Sequence, residues 1–164
     1  MDAPEPNSRS SIIRNTCHSF CQSLIHSPNP PQLIDQHFSL SPSITEHGPI
    51  WANERLPFLG KTFTTKDGCL EYFDVLSKTL TMDMSPKSFP KPEDFIVNAF
   101  ATTHEGARQG VVSVVGAATF RSVKTGKSWD EKFIYRLSDF DGEGKIGHWE
   151  IWADPLSAWE AVGD

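Results

Sequence analysis

The stretch GKIGHWEIWAD, at residues 144–154, carries the clearest structural pattern in this chain. Polar and apolar side chains alternate along it, as they do on a β-strand that has two unlike faces. Residues 129–140 show the same alternation, and the intervening DGEG at residues 141–144 is typical of a tight turn. The sequence therefore predicts a closing β-hairpin.

The sequence before this hairpin predicts helices first and strands afterwards. Apolar residues recur every three or four positions over 8–27 and 66–80, which indicates two amphipathic helices. A shorter helical piece is expected at 32–38 and another at 155–162. The predicted strands cover residues 43–47, 95–103, 111–123, 129–140 and 145–152, and their turns include 105–106. Helices followed by an antiparallel meander are an α+β layout.

Size and charge limit the classes of protein to which the chain can belong. Its 164 residues, 38% hydrophobic and 22% charged, predict one α+β domain over residues 8–164, preceded by a flexible tail at 1–7. No apolar run approaches the roughly 20 residues of a membrane helix. A net charge of −6 without a basic stripe argues against nucleic acid. Three cysteines without a secretion signal favour free thiols and a cytoplasmic location.

The last strand offers a candidate site whose orientation the sequence leaves open. Its apolar face holds Gly147, Trp149, Ile151 and Ala153. Its mixed face holds Ile146, His148, Glu150, Trp152 and Asp154. If the mixed face lines a cavity, histidine and carboxylate can exchange protons near neutral pH. If it faces outward, the same side chains form a dimer surface or a solvated edge.

Further candidate residues lie outside the last strand. His47 ends the first short strand and either faces His148 or Asp154 across a pocket or makes a structural hydrogen bond. Tyr135 belongs either to the core or to a site in which its hydroxyl orients a ligand carbonyl. We expect Trp51, Tyr135 and Trp152 to contact the ligand. The small residues at 116–118 indicate either a sharp bend or a void that serves as a ligand cavity, or else a bulge or close packing of a helix.

Several familiar chemistries have no motif here. The sequence contains no glycine-rich phosphate loop, no nucleophile elbow and no close cluster of metal ligands. We therefore expect neither a cofactor nor a metal, and any catalysis has to use side chains alone.

The order of elements over residues 8–156 resembles the SnoaL-like branch of the nuclear transport factor 2-like (NTF2-like) superfamily. The closer likeness is Gly144-Lys145-Ile146 followed by His148-Trp149-Glu150. Two residues separate these triplets in many SnoaL-like proteins, whereas here only Gly147 does. A one-residue shift in a strand moves His148 to the other face. The Trp51 region and the ending look most like fungal members of the branch.

This resemblance implies a conical barrel, in which a curved antiparallel sheet wraps around N-terminal helices and encloses a pocket. It also implies homodimers that form through the convex sheet face. Polyketide cyclases, ketosteroid isomerase, scytalone dehydratase and epoxide hydrolases share the fold with proteins that only bind ligands, so the fold does not determine the function.

Two functional hypotheses follow. In the first, the chain is a cofactor-independent lyase, isomerase or cyclase that acts on a small, oxygenated, largely apolar metabolite. His148 or His47 would move a proton, while Glu150 or Asp154 would orient that histidine or act as the acid. In the second, the chain is a non-catalytic ligand-binding or dimerisation module. The second hypothesis predicts that these histidines and acids lie outside the pocket or form salt bridges in the dimer interface.

Overall fold

The computed structural model describes residues 8–26, 28–104 and 108–163. The predicted tail at 1–7 and the predicted turn at 105–106 lie outside these residues. The helices are α1 (Arg9–Ile25), α2 (Pro30–His37), α3 (Thr65–Thr79) and α4 (Pro155–Val162). The strands are β1 (Phe38–Glu46), β2 (Thr62–Thr64), β3 (Leu80–Asp83), β4 (Ile96–Asn98), β5 (Val111–Ser122), β6 (Ser128–Ser138) and β7 (Ile146–Trp152). Single-turn 3-10 helices cover Ile50–Glu54 and Pro92–Asp94.

The seven strands form one curved sheet in the order β2-β1-β7-β6-β5-β3, with β4 also paired to β5. All neighbours are antiparallel except β1 and β7, which run parallel. Side chains from the helices and from the inner sheet face share one hydrophobic core. The predicted α+β class, with helices against a curved sheet, is confirmed.

Helix α1 forms because its sequence meets the requirements of a capped amphipathic helix. The Ser8 hydroxyl accepts a hydrogen bond from the Ser11 backbone N–H at 3.2 Å, which satisfies one of the free amides at the helix start. The buried residues follow helical spacing and include Ile13, Cys17 and Cys21. All three cysteines of the chain are buried free thiols, as predicted, and burial raises the pKa of each.

Two predicted strands have different lengths in the structure. Strand β1 starts at Phe38 rather than at residue 43, directly after α2. Strand β4 covers only Ile96–Asn98 of the predicted 95–103. It ends there because the Asn98 side-chain carbonyl accepts hydrogen bonds from the backbone N–H groups of Phe100 and Ala101, which turns the chain. Strands β2 and β3 are additions that the sequence patterns did not predict.

At Gly116, within the small residues 116–118, the structure shows close packing against aromatic rings rather than against a helix. A Cβ atom there would collide with the rings of Phe133 and Phe89. The glycine lets these rings approach the strand closely. Among the described residues, no helix has both the length and the apolar character needed to cross a membrane.

Candidate functional site

A cavity lies between the inner face of the sheet and helices α3 and α4. Its lining is mostly apolar and aromatic, with three carboxyl groups and two tyrosines. The lining residues are Glu46, Leu56, Tyr72, Leu76, Leu80, Met82, Phe120, Glu131, Phe133, Tyr135, Trp149, Ile151, Ala153, Asp154, Pro155 and Ala158. The space open to the centre of a water-sized sphere is about 40 Å³. That is room for roughly three waters, since one water needs about 10–15 Å³ by this measure.

The parallel pairing of β1 with β7 decides which residues of β1 face this cavity. Ile44 lies opposite Trp149, and Glu46 lies opposite Ile151. Trp149 and Ile151 both line the cavity, and Glu46 lines it with them. Because successive side chains alternate between the faces of a strand, Thr45 points to the outer face.

Glu46 is a buried acid held by one tyrosine. The Tyr72 hydroxyl donates a hydrogen bond of 2.8 Å to Glu46 Oε1, and both side chains are buried. Burial raises the pKa of Glu46 to about 8, although the bond from Tyr72 lowers it and the charge of Glu131 raises it further. At neutral pH Glu46 is therefore mostly a neutral carboxylic acid, which can donate a proton.

Glu131 is a second carboxyl group in the cavity wall, and it is half-buried. Its carboxylate accepts hydrogen bonds from Trp129 Nε1 at 2.8 Å and from the Asp154 backbone N–H at 3.0 Å. Burial raises the pKa of Glu131, while these two donors oppose that shift. Asp154 caps α4, because its carboxylate accepts hydrogen bonds from the Ser157 backbone N–H at 3.0 Å and from the Ser157 hydroxyl at 2.5 Å.

Two further polar groups at the cavity have no hydrogen-bond partner among the described residues. Trp149 Nε1 is buried and unpaired. Tyr135 is 4% exposed, and its hydroxyl makes no hydrogen bond to the described part of the chain. Burial raises the pKa of Tyr135, so this hydroxyl stays protonated at neutral pH and can donate. An unpaired donor in an apolar cavity suits a ligand that brings an acceptor oxygen.

The outer face of the sheet carries a separate polar network around Glu150. Arg136 donates to the Glu150 carboxylate through Nε at 2.7 Å and through Nη2 at 3.0 Å. His47 Nε2 lies 3.0 Å from Glu150 Oε1, and the His47 ring stacks on Trp152 with centroids 4.2 Å apart. Burial alone would raise the pKa of Glu150, but the bonds from Arg136 and His47 bring it below its ordinary value.

His148 belongs to the outer face as well. Its Nε2 lies 2.9 Å from the Thr45 hydroxyl, which in turn lies 2.7 Å from the Thr62 hydroxyl. His47, His148, Glu150 and Trp152 do not line the cavity, so a cavity role for this histidine–carboxylate group has no geometric support. The outward alternative for the mixed strand face describes His148, Glu150 and Trp152.

The remaining candidates are divided between the cavity and the surface. Asp154 and Tyr135 line the cavity. Asp154 does so because β7 ends at Trp152 and strand alternation no longer applies. Trp51 is 63% exposed and packs edge-on against Trp159, with centroids 5.3 Å apart. It lies outside the cavity and does not line it.

Ile146 departs from the predicted alternation of β7. Ile146 is fully buried in the same core as Trp149, although the two residues are three positions apart and strict alternation would place them on opposite faces. The pairing of β1 with β7 shifts register in this segment. Gly147 lies so close to the Asp139 backbone that a Cβ atom would collide with the Asp139 carbonyl oxygen. The irregularity explains why counting from Ile146 misassigns its face.

The sequence patterns pointed away from three cavity residues. Neither Glu46 nor Glu131 belongs to the histidine–carboxylate pattern of the last strand, which is the site that the sequence offers. Tyr72 falls on the buried face of α3 with Cys69 and Leu76, where an aromatic residue predicts core packing. A usable signal was present for Glu46, because it shares one face of β1 with the fully buried Ile44.

The donor set offers no obvious place for a metal. Within residues 8–26, 28–104 and 108–163, no three histidine, cysteine or acidic side chains are grouped closely enough to hold a metal ion. The interior carboxyl groups are bound to tyrosine, tryptophan and backbone donors instead.

Comparison with known proteins shows similarity in structure but not in sequence. No protein-family model and no curated protein sequence matches the chain. An NTF2-like protein of unknown function from Burkholderia pseudomallei superposes with a TM-score of 0.65 at 14% identity, covering 96% of this chain and 99% of that one.

Two further solved structures have the same architecture. A candidate SnoaL-like polyketide cyclase from Jannaschia sp. CCS1 gives a TM-score of 0.60 at 9% identity, covering 99% of this chain and 97% of that one. TerC, crystallised with polyporic acid, gives 0.63 at 13% identity, covering 93% and 98%. At these identities the comparison concerns the fold, and this chain has the fold of the NTF2-like proteins.

Proposed function

We propose that the chain is a cofactor-independent small-molecule pocket protein that moves a proton on an oxygenated, largely apolar metabolite, as a lyase, isomerase or cyclase. The observation that carries this proposal is Glu46, a carboxyl group with a pKa of about 8 inside an apolar cavity. General acid–base catalysis works best when the pKa of the catalytic group lies near the working pH.

The roles follow from the state of each cavity group. Glu131 would accept the proton from the carbon next to a carbonyl, and the electron pair left behind would form an enol or enolate. Glu46, neutral at pH 7, would donate a proton to the oxygen or return one to the carbon. The Tyr135 hydroxyl would donate a hydrogen bond to the same oxygen, where negative charge develops. Asp154 would act as a positioning residue, because its backbone N–H holds Glu131.

The solved structures with this fold support the class of ligand without identifying it. One was crystallised with polyporic acid, and others are described as candidates for a polyketide cyclase or an isomerase. A cavity of about 40 Å³ is smaller than any such metabolite. Binding would therefore require lining side chains or α4 to move.

A second candidate function is a ligand-binding or dimerising module without turnover. The position of His47, His148 and Glu150 outside the cavity favours it, because this hypothesis predicts that placement, whereas Asp154 lines the cavity and does not favour it. The outer face also carries a row of exposed apolar side chains, Val115, Ile134 and Trp152, which lie opposite one another on β5, β6 and β7. We propose that this row is the interface of a homodimer. The cytoplasmic location and the fungal affinity stay predictions.

Proton exchange on a simple ketone distinguishes the two functions. The probe is 1-indanone in D2O at pH 7.5, with deuterium uptake at its α-carbon followed by NMR. We expect the wild-type chain to accelerate uptake and Glu46→Gln to reduce the acceleration by about 10²–10⁴-fold. Glu71→Gln, an exposed position on α3, is the matched control. Binding of the ketone without accelerated exchange would favour the module over the enzyme.

A further inference from the structure

The cavity lining is acidic. Three of its side chains are carboxylic, and within the described part of the chain no lysine, arginine or histidine lines it. The two arginines on neighbouring segments are directed elsewhere. Arg136 binds Glu150 on the outer face, and Arg55 lies over the Trp159 ring. A bound anion would find no positive side chain in this lining.

Glu131 is the carboxylate whose charge is least compensated. Both of its observed donors, Trp129 Nε1 and the Asp154 N–H, are uncharged. These bonds also fix the position of the carboxylate, so it cannot easily swing away from an incoming ligand. Asp154 differs, because the N-terminus of α4 offsets its charge. Glu46 differs as well, because it is mostly uncharged at neutral pH.

We propose that Glu131 is a specificity-determining residue that excludes anionic ligands, so that the cavity selects neutral compounds with acceptor oxygens, such as ketones, amides and esters. This inference rests on the proposed function only in requiring that a ligand occupies the cavity. The unpaired Tyr135 hydroxyl favours ligands with an acceptor oxygen, because it needs a hydrogen-bond acceptor. The Glu131 carboxylate repels ligands that carry a negative charge.

The size of the expected effect follows from Coulomb's law. Two like charges about 5 Å apart, at an effective dielectric constant of about 20, repel strongly enough to weaken binding by roughly 100-fold. Solvent reaching the half-buried Glu131 reduces this effect, so a preference of at least about 10-fold is the expected result.

Benzamide and benzoate form a suitable pair of probes, since they have nearly the same shape but differ by one negative charge at pH 7. Dissociation constants are measured by ligand-observed NMR titration. For the wild-type chain, we expect the dissociation constant of benzoate to be at least 10-fold larger than that of benzamide. Glu131→Gln should reduce this ratio of dissociation constants by about 10-fold. Glu131→Leu, which removes the charge without an amide, should narrow it similarly if Glu131→Gln folds poorly.

Asp130→Asn is the matched control. Asp130 is the neighbouring residue on β6, is exposed, and accepts a hydrogen bond from the Thr119 hydroxyl at 2.6 Å. The control changes the net charge by the same amount and should leave the ratio unchanged. The inference would be overturned, and the proposed function left standing, if both probes bound equally well to the wild type. The same would follow if Asp130→Asn reduced the ratio of dissociation constants as much as Glu131→Gln does. Failure of benzamide to bind would overturn it together with the proposed pocket. Retained selectivity without proton exchange would contradict only the catalytic role.

Discussion

The Tyr72 hydroxyl donates a 2.8 Å hydrogen bond to Glu46 Oε1 inside the core. The two residues come from α3 and β1, and 26 positions separate them in the chain. An unpaired buried carboxyl group is costly, so this bond makes the acid tolerable within the fold. Among the described residues, Tyr72 is the only one that forms a hydrogen bond with the Glu46 side chain, so Glu46 can still exchange a proton with a ligand.

Removing the Tyr72 hydroxyl should destabilise the protein and raise the pKa of Glu46 further, because the bond from Tyr72 lowers that pKa. For Tyr72→Phe we expect a loss of about 1–2 kcal/mol in the free energy of unfolding, measured with urea. Tyr135→Phe is the control, because its hydroxyl has no partner among the described residues and should cost close to nothing. Equal losses in the two variants would contradict the distinction between the two hydroxyls.

The raised pKa of Glu46 predicts how stability depends on pH. With a pKa of about 8 in the folded chain and an ordinary value of 4.5, the folded state binds more protons between these values. The Glu46 contribution is therefore fully present below about pH 4.5 and falls as pH rises towards 8, by at most about 1.4 kcal/mol per pH unit.

Glu46→Gln isolates this effect from the other titrating groups. We expect the free energy of unfolding of the variant, relative to the wild type, to rise between pH 5 and pH 8 and then level off, as measured in urea at each pH. A constant difference across this range would mean that Glu46 titrates normally.

Local patterns in the sequence were sufficient for the fold but not for the site. Helical spacing along α1 and strand alternation along β5 to β7 depend on neighbouring residues, and they predicted the α+β class. Whether Glu46 or His47 faces inward depends on the pairing of β1 with β7, residues about 100 positions apart. The register shift near Ile146 adds to the difficulty, because alternation cannot be counted through it.

On the outer face, the Glu150 carboxylate depends on Arg136. The Glu150 side chain is only 4% exposed, so Arg136→Ala leaves a buried charge with less compensation and should cost about 3 kcal/mol in the free energy of unfolding. The lowered pKa of Glu150 means that its stabilising contribution is present above about pH 4.5 and is lost as pH falls through the folded-state pKa.

The cost of Arg136→Ala should accordingly shrink in urea titrations at pH 4 compared with pH 7. Lys132→Ala, an exposed position on the same face of β6, is the control and should cost less than about 0.5 kcal/mol at both pH values. A cost for Arg136→Ala that did not depend on pH would contradict the role of the Glu150 charge.

The row of exposed apolar side chains on the outer face predicts a homodimer, which a single charged substitution within the row should dissociate. Ile134 is 44% exposed at the centre of this row, between Val115 and Trp152. Ile134→Glu should shift the mass measured by light scattering from dimer to monomer, because burying a lone carboxylate in an interface is costly. Leu156→Glu, 74% exposed on α4, should leave the mass unchanged. A monomeric wild-type chain would refute the dimer.

Helix α4 forms one wall of the cavity, and Arg55 holds this helix in place. Pro155 and Ala158 of α4 line the cavity, while Trp159 lies under the Arg55 guanidinium, 4.0 Å from the ring centroid. Arg55 also donates to the Trp159 carbonyl oxygen at 3.3 Å. Because the cavity is too small for a metabolite, we expect α4 to move away when a ligand enters.

Arg55→Ala should weaken this closure by about 1 kcal/mol, which corresponds to roughly fivefold faster hydrogen exchange at the α4 amides. Benzamide should dissociate faster as well. Lys61→Ala is the control, because it removes a comparable contact away from α4, in which Lys61 Nζ lies 4.9 Å from the centroid of the Phe63 ring. It should change neither the hydrogen exchange of the α4 amides nor the dissociation rate of benzamide. If exchange at the α4 amides stayed at the wild-type rate in Arg55→Ala, Arg55 would not be what holds the helix over the cavity.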